Sequence, residues 1–427
     1  MTKTPSSDID HPSGKMASGK ALAPFRFPAF RAIWTANLFS NIGSMIQSVA
    51  AAWLMTELTQ SNLLIAMVQA SATLPIMLFG VIAGAIADNF DRRRVMLCAQ
   101  LGMLITSTVL AIVTFQEAVT PFSLLGLTLF VGIGTALNGP AWQASVRAQV
   151  GLKDLPQAIS LNSIAFNLAR SVGPALGGLL ISLWDISLAF ALNALSYVFM
   201  IVVLLKWRPH VPRPKRGPMF NSILTGIRFC VTSHPVRKVL LRGVTIGFGV
   251  AAYQALLPVV VRNRLGGDEF SFGLMLGAFG VASIASALFV SPIRRRIGSE
   301  AVIGAGTLIF AVAELILIAS DDFVLAVTAA ILAGAAWVTV MTTLNVAMQV
   351  RSPNDILGRC LSIYQAVTFG GMAIGAWVWG AISDLHSIPV AFLLAAGWLA
   401  VTFALLHFLA PMPKRGDGVP EQSTSQS

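Results

Sequence analysis

Apolar runs of about 20 residues or more recur along the chain, each closed by a short polar or charged stretch. A helix needs about 20 apolar residues to cross the hydrocarbon core of a bilayer. Twelve segments meet that requirement: Ile33–Glu57, Leu63–Ala87, Val95–Phe115, Phe122–Val146, Ala158–Leu183, Ser187–Lys206, Val239–Val261, Ser271–Val290, Ala301–Ser320, Phe323–Gln349, Leu361–Ser383 and Pro389–Leu409. The sixth and seventh are separated by Trp207–Lys238, which is basic and rich in proline. Within it Phe220, Ile223, Leu224, Ile227 and Val231 recur at helical spacing, which predicts an amphipathic helix lying on the membrane face. The pattern therefore predicts an all-α membrane protein. Two six-helix bundles, 31–206 and 239–410, are joined by the linker 207–238 and flanked by tails 1–30 and 411–427, whose composition predicts disorder.

The two halves repeat. An offset of 202 residues superposes Arg92, Arg93 and Arg94 on Arg294, Arg295 and Arg296, Gly173 on Gly375, Gly178 on Gly380, and Phe190 on Phe392. One constant offset across three regions marks a duplication, and two such halves about an axis along the membrane normal are a transporter architecture. Gly-xxx-Gly pairs fall at Gly80/Gly84, Gly173/Gly177, Gly273/Gly277 and Gly371/Gly375, in the second, fifth, eighth and eleventh spans, with another at Gly243/Gly247 in the seventh. Glycine is common in membrane helices, but small residues four apart also let helices approach closely. The periodicity predicts that spans 2, 5, 8 and 11 are the surfaces on which the halves close and rock.

Composition agrees: of 427 residues 56% are hydrophobic and 11% charged, and the mean hydropathy is +0.76. A net charge of +11 raises nucleic acid as a partner, but 26 of the 29 Lys and Arg lie in the tails, in alternate loops or at helix ends facing one side. That asymmetry predicts that both termini are cytoplasmic and makes the basicity topological. Cys98, Cys230 and Cys360 fit neither a disulfide framework nor a metal site. Met1–Lys20 lacks the apolar core of a cleaved signal peptide. No GxxxxGK[ST] loop is present for direct ATP drive, and no HExxH or GxSxG for intramembrane catalysis. The expectation is a non-enzymatic protein, monomeric, without cofactor or metal, whose partners are the bilayer and a small molecule, with protons added by the resemblance described below.

Polar stripes mark candidate cavity walls. Asn37, Asn41, Ser44 and Ser48 share one arc of span 1; Asn138, Trp142, Ser145 and Gln149 share one of span 4; span 10 offers Thr342, Asn345 and Gln349. Such stripes avoid lipid, so they line a cavity or bond between helices. Tyr253, Gln254, Trp337, Tyr364 and Gln365 add aromatic and amide groups, suited to a bulky amphipathic substrate. In span 5, Asn167 and Arg170 share a face with Ser163, Pro174 and Gly177. An arginine there costs about 2.5–3.5 kcal/mol to insert, so it either binds an anionic or catecholic substrate or bonds to a neighbouring helix. Spans 1, 4, 7 and 10 have no mid-membrane Asp or Glu, so the candidate coupling acids are Glu57, at the outer end of span 1, and Glu314, in span 9, which is equally a candidate packing or interfacial residue.

Gly80, Gly84 and Asp88 stack on one face that ends at Arg92, Arg93 and Arg94. This suits a sliding helix with an electrostatic latch, and equally a loop marked by positive-inside topology. G-A-I-A-D-N-F-D-R-R-R resembles the loop motif between spans 2 and 3 of the major facilitator superfamily, with Asn89 and Asp91 departing from its pattern. N-L-A-R-S-V-G-P-A-L-G-G resembles the family's antiporter motif at Gly173, Pro174, Gly177 and Gly178, with Ala169 and Ser160 in place of earlier glycines. Nearly the whole chain is similar to the bacterial efflux branch of that superfamily, which includes siderophore exporters. The resemblance implies gating roles for Gly84, Asp88, Arg92, Arg93 and the span 5 motif, and a substrate cavity enclosed by spans 1, 4, 7 and 10. It also implies export by alternating access with proton antiport, an importer or a lipid or lysolipid flippase being the alternative.

Overall fold

The computed structural model describes residues 22–151, 153–208, 219–319, 321–353, 356–409 and 411; the side chains of Asp88, 219–222 and 409 lie outside the description. The predicted tails, linker residues 209–218 and the Phe220 side chain therefore fall outside it, apart from the tail residues next to α1 and α12. The described elements are helices: α1 (Pro28–Leu58), α2 (Asn62–Asn89), α3 (Arg92–Phe115), α4 (Pro121–Val150), α5 (Leu155–Leu183), α6 (Ile186–Lys206), α7 (Met219–Thr232), α8 (His234–Asn263), α9 (Glu269–Ala319), α10 (Phe323–Arg351), α11 (Leu357–Leu385) and α12 (Ile388–Leu409), after a short 3-10 turn at Ala23–Arg26. Side chains in the connecting turns start several of them. Ser61, Asp91, Asp185 and Asp322 each accept a backbone N–H of the first turn of α2, α3, α6 and α10, and Thr120 with Ser123 forms a capping box on α4.

Helix α9 has 51 residues, about 76 Å of helix at 1.5 Å per residue, too long for one crossing. Gly298 interrupts it with φ 85°, a left-handed conformation that favours glycine. Glu269 lies beside Gly178 and Trp53, and Gly280 beside Arg170; after the break Glu300 pairs with Arg242 near the start of α8, and the Ile318 carbonyl with Arg264 near its end. The chain thus crosses and returns, supplying spans 8 and 9. Twelve crossings result, six from α1–α6 and six from α8–α12, as the hydropathy predicts.

Packing follows the duplication. In each half the fifth crossing lies against the first: a Cβ added at Gly173 would sit 2.5 Å from Met45 Cβ of α1, and one at Gly375 would sit 2.8 Å from Ala251 Cβ of α8. Between halves α5 packs on the first arm of α9, and α2 on α11. Gly178 and its equivalent Gly380 face those cross-half partners, Gly273 and Ala66 respectively. Spans 2, 5, 8 and 11 are therefore the inter-half surfaces, but Gly173 and Gly177 are not on them. Both turn toward α1 within their own half, because the contact between halves runs along the adjacent line Ser171, Pro174, Ala175 and Gly178.

The linker helix α7 packs on α11, with Gly226 against Arg359 and Ile363. Cys230 is buried there, and a hydrogen bond with Cys360, together with burial, pushes its thiol up. Leu224, Ile227 and Val231 stay exposed on α7.

The α5–α9 contact is backbone on backbone. A Cβ at Gly273 would lie 2.7 Å from the Pro174 carbonyl oxygen and 2.8 Å from Gly178 Cα, whereas nothing lies within 4 Å of one at Gly102. Gly273→Ala is expected to destabilise the protein by about 1–3 kcal/mol, and Gly102→Ala to leave it unchanged or slightly more stable. Thermal unfolding midpoints in detergent measure both.

Candidate functional site

Between the halves lies a cavity of about 200 Å³, walled by α1, α2, α4, α6 and α8. Its polar lining is Ser44, Gln47, Ser48, Gln69, Asn193 and Gln254, with Thr128 and Thr135 of α4, and no charged residue lines it. Hydrogen bonds fix one wall. Gln47 Oε1 accepts from Ser107 Oγ at 2.8 Å and from Asn193 Nδ2 at 2.7 Å, and Asn193 Nδ2 also donates to the Tyr197 hydroxyl at 3.0 Å. The other wall is looser: Gln69 Nε2 reaches Gln254 Oε1 across the halves at 3.5 Å, and Gln254 Nε2 has no hydrogen-bond partner among the described residues. A buried donor left unpaired costs about 1–3 kcal/mol, so a ligand acceptor at Gln254 gains a ready partner.

The sequence-predicted cavity residues divide. Gln254 lines this cavity, as do Ser44 and Ser48 of the span 1 stripe. Asn37, Asn41, Asn138 and Trp142 lie further along α1 and α4, toward the end where α1 begins and α12 finishes (the terminus end). Asn37 is buried, and Asn138 lies 3.5 Å from Gln100 Nε2. Asn345 pairs with Gln349 on its own helix at 2.6 Å, and buried Tyr364 packs inside the C-terminal half with its hydroxyl 3.7 Å from Met341 Sδ. Asn167 donates to the Ser163 carbonyl of its own helix. Arg170 crosses the seam: its guanidinium carbon stands 5.5 Å from the centroid of the Phe279 ring on α9, a cation–π contact. Phe279 stacks in turn on Tyr253. Glu314 is fully buried beside the Tyr253 backbone, and its carboxylate makes no side-chain hydrogen bond among the described residues.

At the opposite, far end the halves are tied by polar contacts. Asp384 of α11 accepts Ser61 Oγ at 2.6 Å and the Asn62 N–H at 2.5 Å, and Asn62 Nδ2 donates to Ser383 Oγ at 3.0 Å. Arg262 of α8 donates to Thr56 Oγ1 at 3.0 Å, and Trp53 Nε1 donates to Glu269 at 3.0 Å. At the terminus end the arginine cluster stays within its own half. Arg92 donates to the Ala144 carbonyl, Arg93 to those of Leu204 and Leu205, and Arg94 lies 3.8 Å from Asp91. Gly84 faces Ser362 of α11 with a would-be Cβ distance of 3.3 Å. This conformation is closed at the far end, with the arginines engaged away from the seam.

The family model described as transmembrane secretion effector, a branch of the major facilitator superfamily, matches residues 19–425. The chain belongs to that superfamily. It is 26% identical over 420 residues to an enterobactin exporter, EntS, of Shigella boydii serotype 4, covering 94% of this chain and 96% of the relative. It is 22% identical to a staphyloferrin A transporter of Staphylococcus aureus over 60% of this chain, a match spanning 65% of that relative's length. The fold matches a crystal structure of a mutant of the nucleoside transporter NupG with a TM-score of 0.74 at 13% identity, over 88% of this chain and 99% of that one. Like its relatives, this member of the superfamily is a multi-pass membrane transporter.

Sequence reasoning missed the far-end seam and the Gln47–Asn193 wall. The signal available for the seam was the set of Ser, Asn and Asp residues at helix ends beside short loops. Asp384→Ala removes the acceptor of two cross-half hydrogen bonds, and labelling of a cavity reporter cysteine (Gln69→Cys, in a Cys98→Ser background) by a membrane-impermeant maleimide added on the far side is expected to rise several-fold.

Proposed function

We propose that the chain is a secondary active exporter of a small hydrophobic or amphipathic compound, a drug or a siderophore-like metabolite. It works by alternating access and proton antiport, as a monomer in the bacterial inner membrane, with the terminus end cytoplasmic. The observation that carries this reading is the uncharged amide and hydroxyl cavity at the inter-half seam, shut at the far end by hydrogen bonds between the halves. A carrier that loads from the cytoplasm rests in such a state. The names of two relatives, an enterobactin exporter and a staphyloferrin A transporter, support the siderophore-like class. Arg170, held over an aromatic ring beside the seam, supplies a cation that an anionic or catecholic substrate can engage.

Gly84, Asp88, Arg92 and Arg93 then serve the other state. When the far end opens, the terminus end closes, and the loop motif holds α2 against α11. Pro174 and Gly178 supply the smooth cross-half face on α5, while Gly173 and Gly177 fix α5 to α1 so that the half moves as one body. Glu314 carries the coupled proton: it is a fully buried acid with no side-chain hydrogen bond among the described residues, and an unpaired charge is costly to bury there.

One observation favours a second reading as a lipid or lysolipid flippase. A lipid-facing groove of about 1120 Å³ lies between α2, α3 and α4, with Asp91 and Arg94 among an otherwise mostly apolar lining.

Everted membrane vesicles under an imposed proton gradient separate the readings, with ethidium, enterobactin and a fluorescent lysophospholipid as probes. Export predicts accumulation of ethidium or enterobactin that collapses with a protonophore. Accumulation by whole cells instead indicates import, and movement of the lysophospholipid alone indicates a flippase. Glu314→Gln is expected to cut gradient-driven accumulation at least about tenfold while sparing downhill exchange, the pattern of a lost coupling step rather than lost binding.

A further inference from the structure

The far-end seam holds a contact whose charges do not balance. Trp53 Nε1 has one proton to donate, and it lies 3.1 Å from Glu57 Oε1 on its own helix and 3.0 Å from Glu269 Oε1 on α9. Two carboxylates from opposite halves therefore converge on one N–H, and like charges so placed oppose each other. The surroundings do not neutralise them. Arg262 of α8 is the cation that faces Glu57, and its guanidinium already donates to Thr56 Oγ1. Asp185, at the start of α6, adds a further negative charge on the same side. Asp268, next to Glu269, accepts the backbone N–H of Ser271 at 2.9 Å and its hydroxyl at 2.6 Å, which holds its carboxyl below the usual carboxylate range. Arg264 is committed to Asp321 at 2.7 Å and to the Ile318 carbonyl. Glu57 thus faces two further acids, Glu269 and Asp185, and one arginine, Arg262, at the place where the halves must touch to close.

We propose that Glu57 and Glu269 form a proton-binding site that exists only while the far end is closed. One proton, drawn from the water on the far side, sits on the pair as α9 approaches α1. It removes one negative charge and lets the indole N–H serve the remaining carboxylate. Opening carries Glu269 away with its half, leaves both carboxylates in water, and returns the proton to the same side. Because the closed gate holds a proton that the open gate does not, acid on the far side stabilises closure and alkali loosens it, by linkage. In an exporter this biases the empty carrier back toward its loading state whenever the outside is acidic. The inference rests on the alternating-access reading above and adds to it a gate acid distinct from Glu314.

The test reads gate geometry without substrate or gradient. Spin labels at Ala118→Cys and His386→Cys, on far-end loops of the two halves, are introduced into the full-length Cys98→Ser protein in nanodiscs, and their distance distribution is recorded from pH 5 to pH 8. The closed-to-open ratio is expected to rise about tenfold as pH falls, on the scale of a single linked proton. Glu57→Gln and Glu269→Gln, each checked for monodispersity, are expected to stay closed across the range, the two variants guarding against failure of either one to fold. A wild-type distribution that does not move with pH, or one that moves equally in both variants, overturns the proposal. A flat distribution alongside working export in vesicles removes only the gate site. A pH-responsive gate in a protein that accumulates nothing in everted vesicles removes only the export reading.

Discussion

Backbone approaching backbone at Gly178 and Gly273 is the constraint on which the two-half arrangement depends. Helices in lipid gain little from hiding apolar surface against each other, since the tails around them are equally apolar. What holds α5 to α9 is close van der Waals contact, which requires glycine on both faces. Such a contact has no interlocking side chains to unpick when one half tilts against the other. Interdigitated leucines on that surface would fix one angle, and a smooth backbone face tolerates several.

A seam of this kind needs directional contacts to choose among its angles, and the polar groups at the two ends supply them unequally. At the far end, Asp384, Asn62, Arg262 and Trp53 all bond across the halves. At the terminus end, Arg92 and Arg93 spend their donors on carbonyls of α4 and α6, both in the N-terminal half. Charged hydrogen bonds contribute about 1.5–3 kcal/mol each, so a handful on one side is enough to set which mouth is shut. A guanidinium bonded to carbonyls can equally be satisfied by a carboxylate, so on the alternating-access reading these arginines are able to exchange partners.

Helix count, duplication and the identity of the inter-half spans were legible in the sequence because each is a one-dimensional signal: hydropathy over a window, a fixed offset, a glycine period. Gly173 and Gly177 show where that legibility ends. A Gly-xxx-Gly pair marks a face that something approaches closely but does not say which helix approaches, and here it is α1 rather than the other half. The far-end seam was hidden for a different reason. Ser61 and Asp384 are 323 residues apart and belong to no repeating pattern, so only the closed three-dimensional arrangement brings them together. Depth was the third blind spot. The arc through Asn37, Asn41, Ser44 and Ser48 identified a face of α1 correctly as polar, but only its far half borders the cavity, and the neighbouring Gln47 carries the wall's hydrogen bonds.

That partial overlap bears on substrate size. A cavity of about 200 Å³ is smaller than the ~300–1,000 Å³ typical of sites that engulf a drug-sized ligand. A bulky amphipath cannot fit inside it alone, so on the export reading the site must continue toward the terminus end, along the same faces of α1 and α4. Asn41, Asn138 and Trp142 occupy those faces, so on the same reading the residues that miss the cavity line its continuation. On that reading the Gln47–Asn193 wall and the unpaired Gln254 donor favour a substrate that presents an uncharged hydrogen-bond acceptor to them. The wider approach sets only its girth. On the export reading, molecules that share that acceptor and differ in the rest fit the site alike, which suits chemically varied cargo.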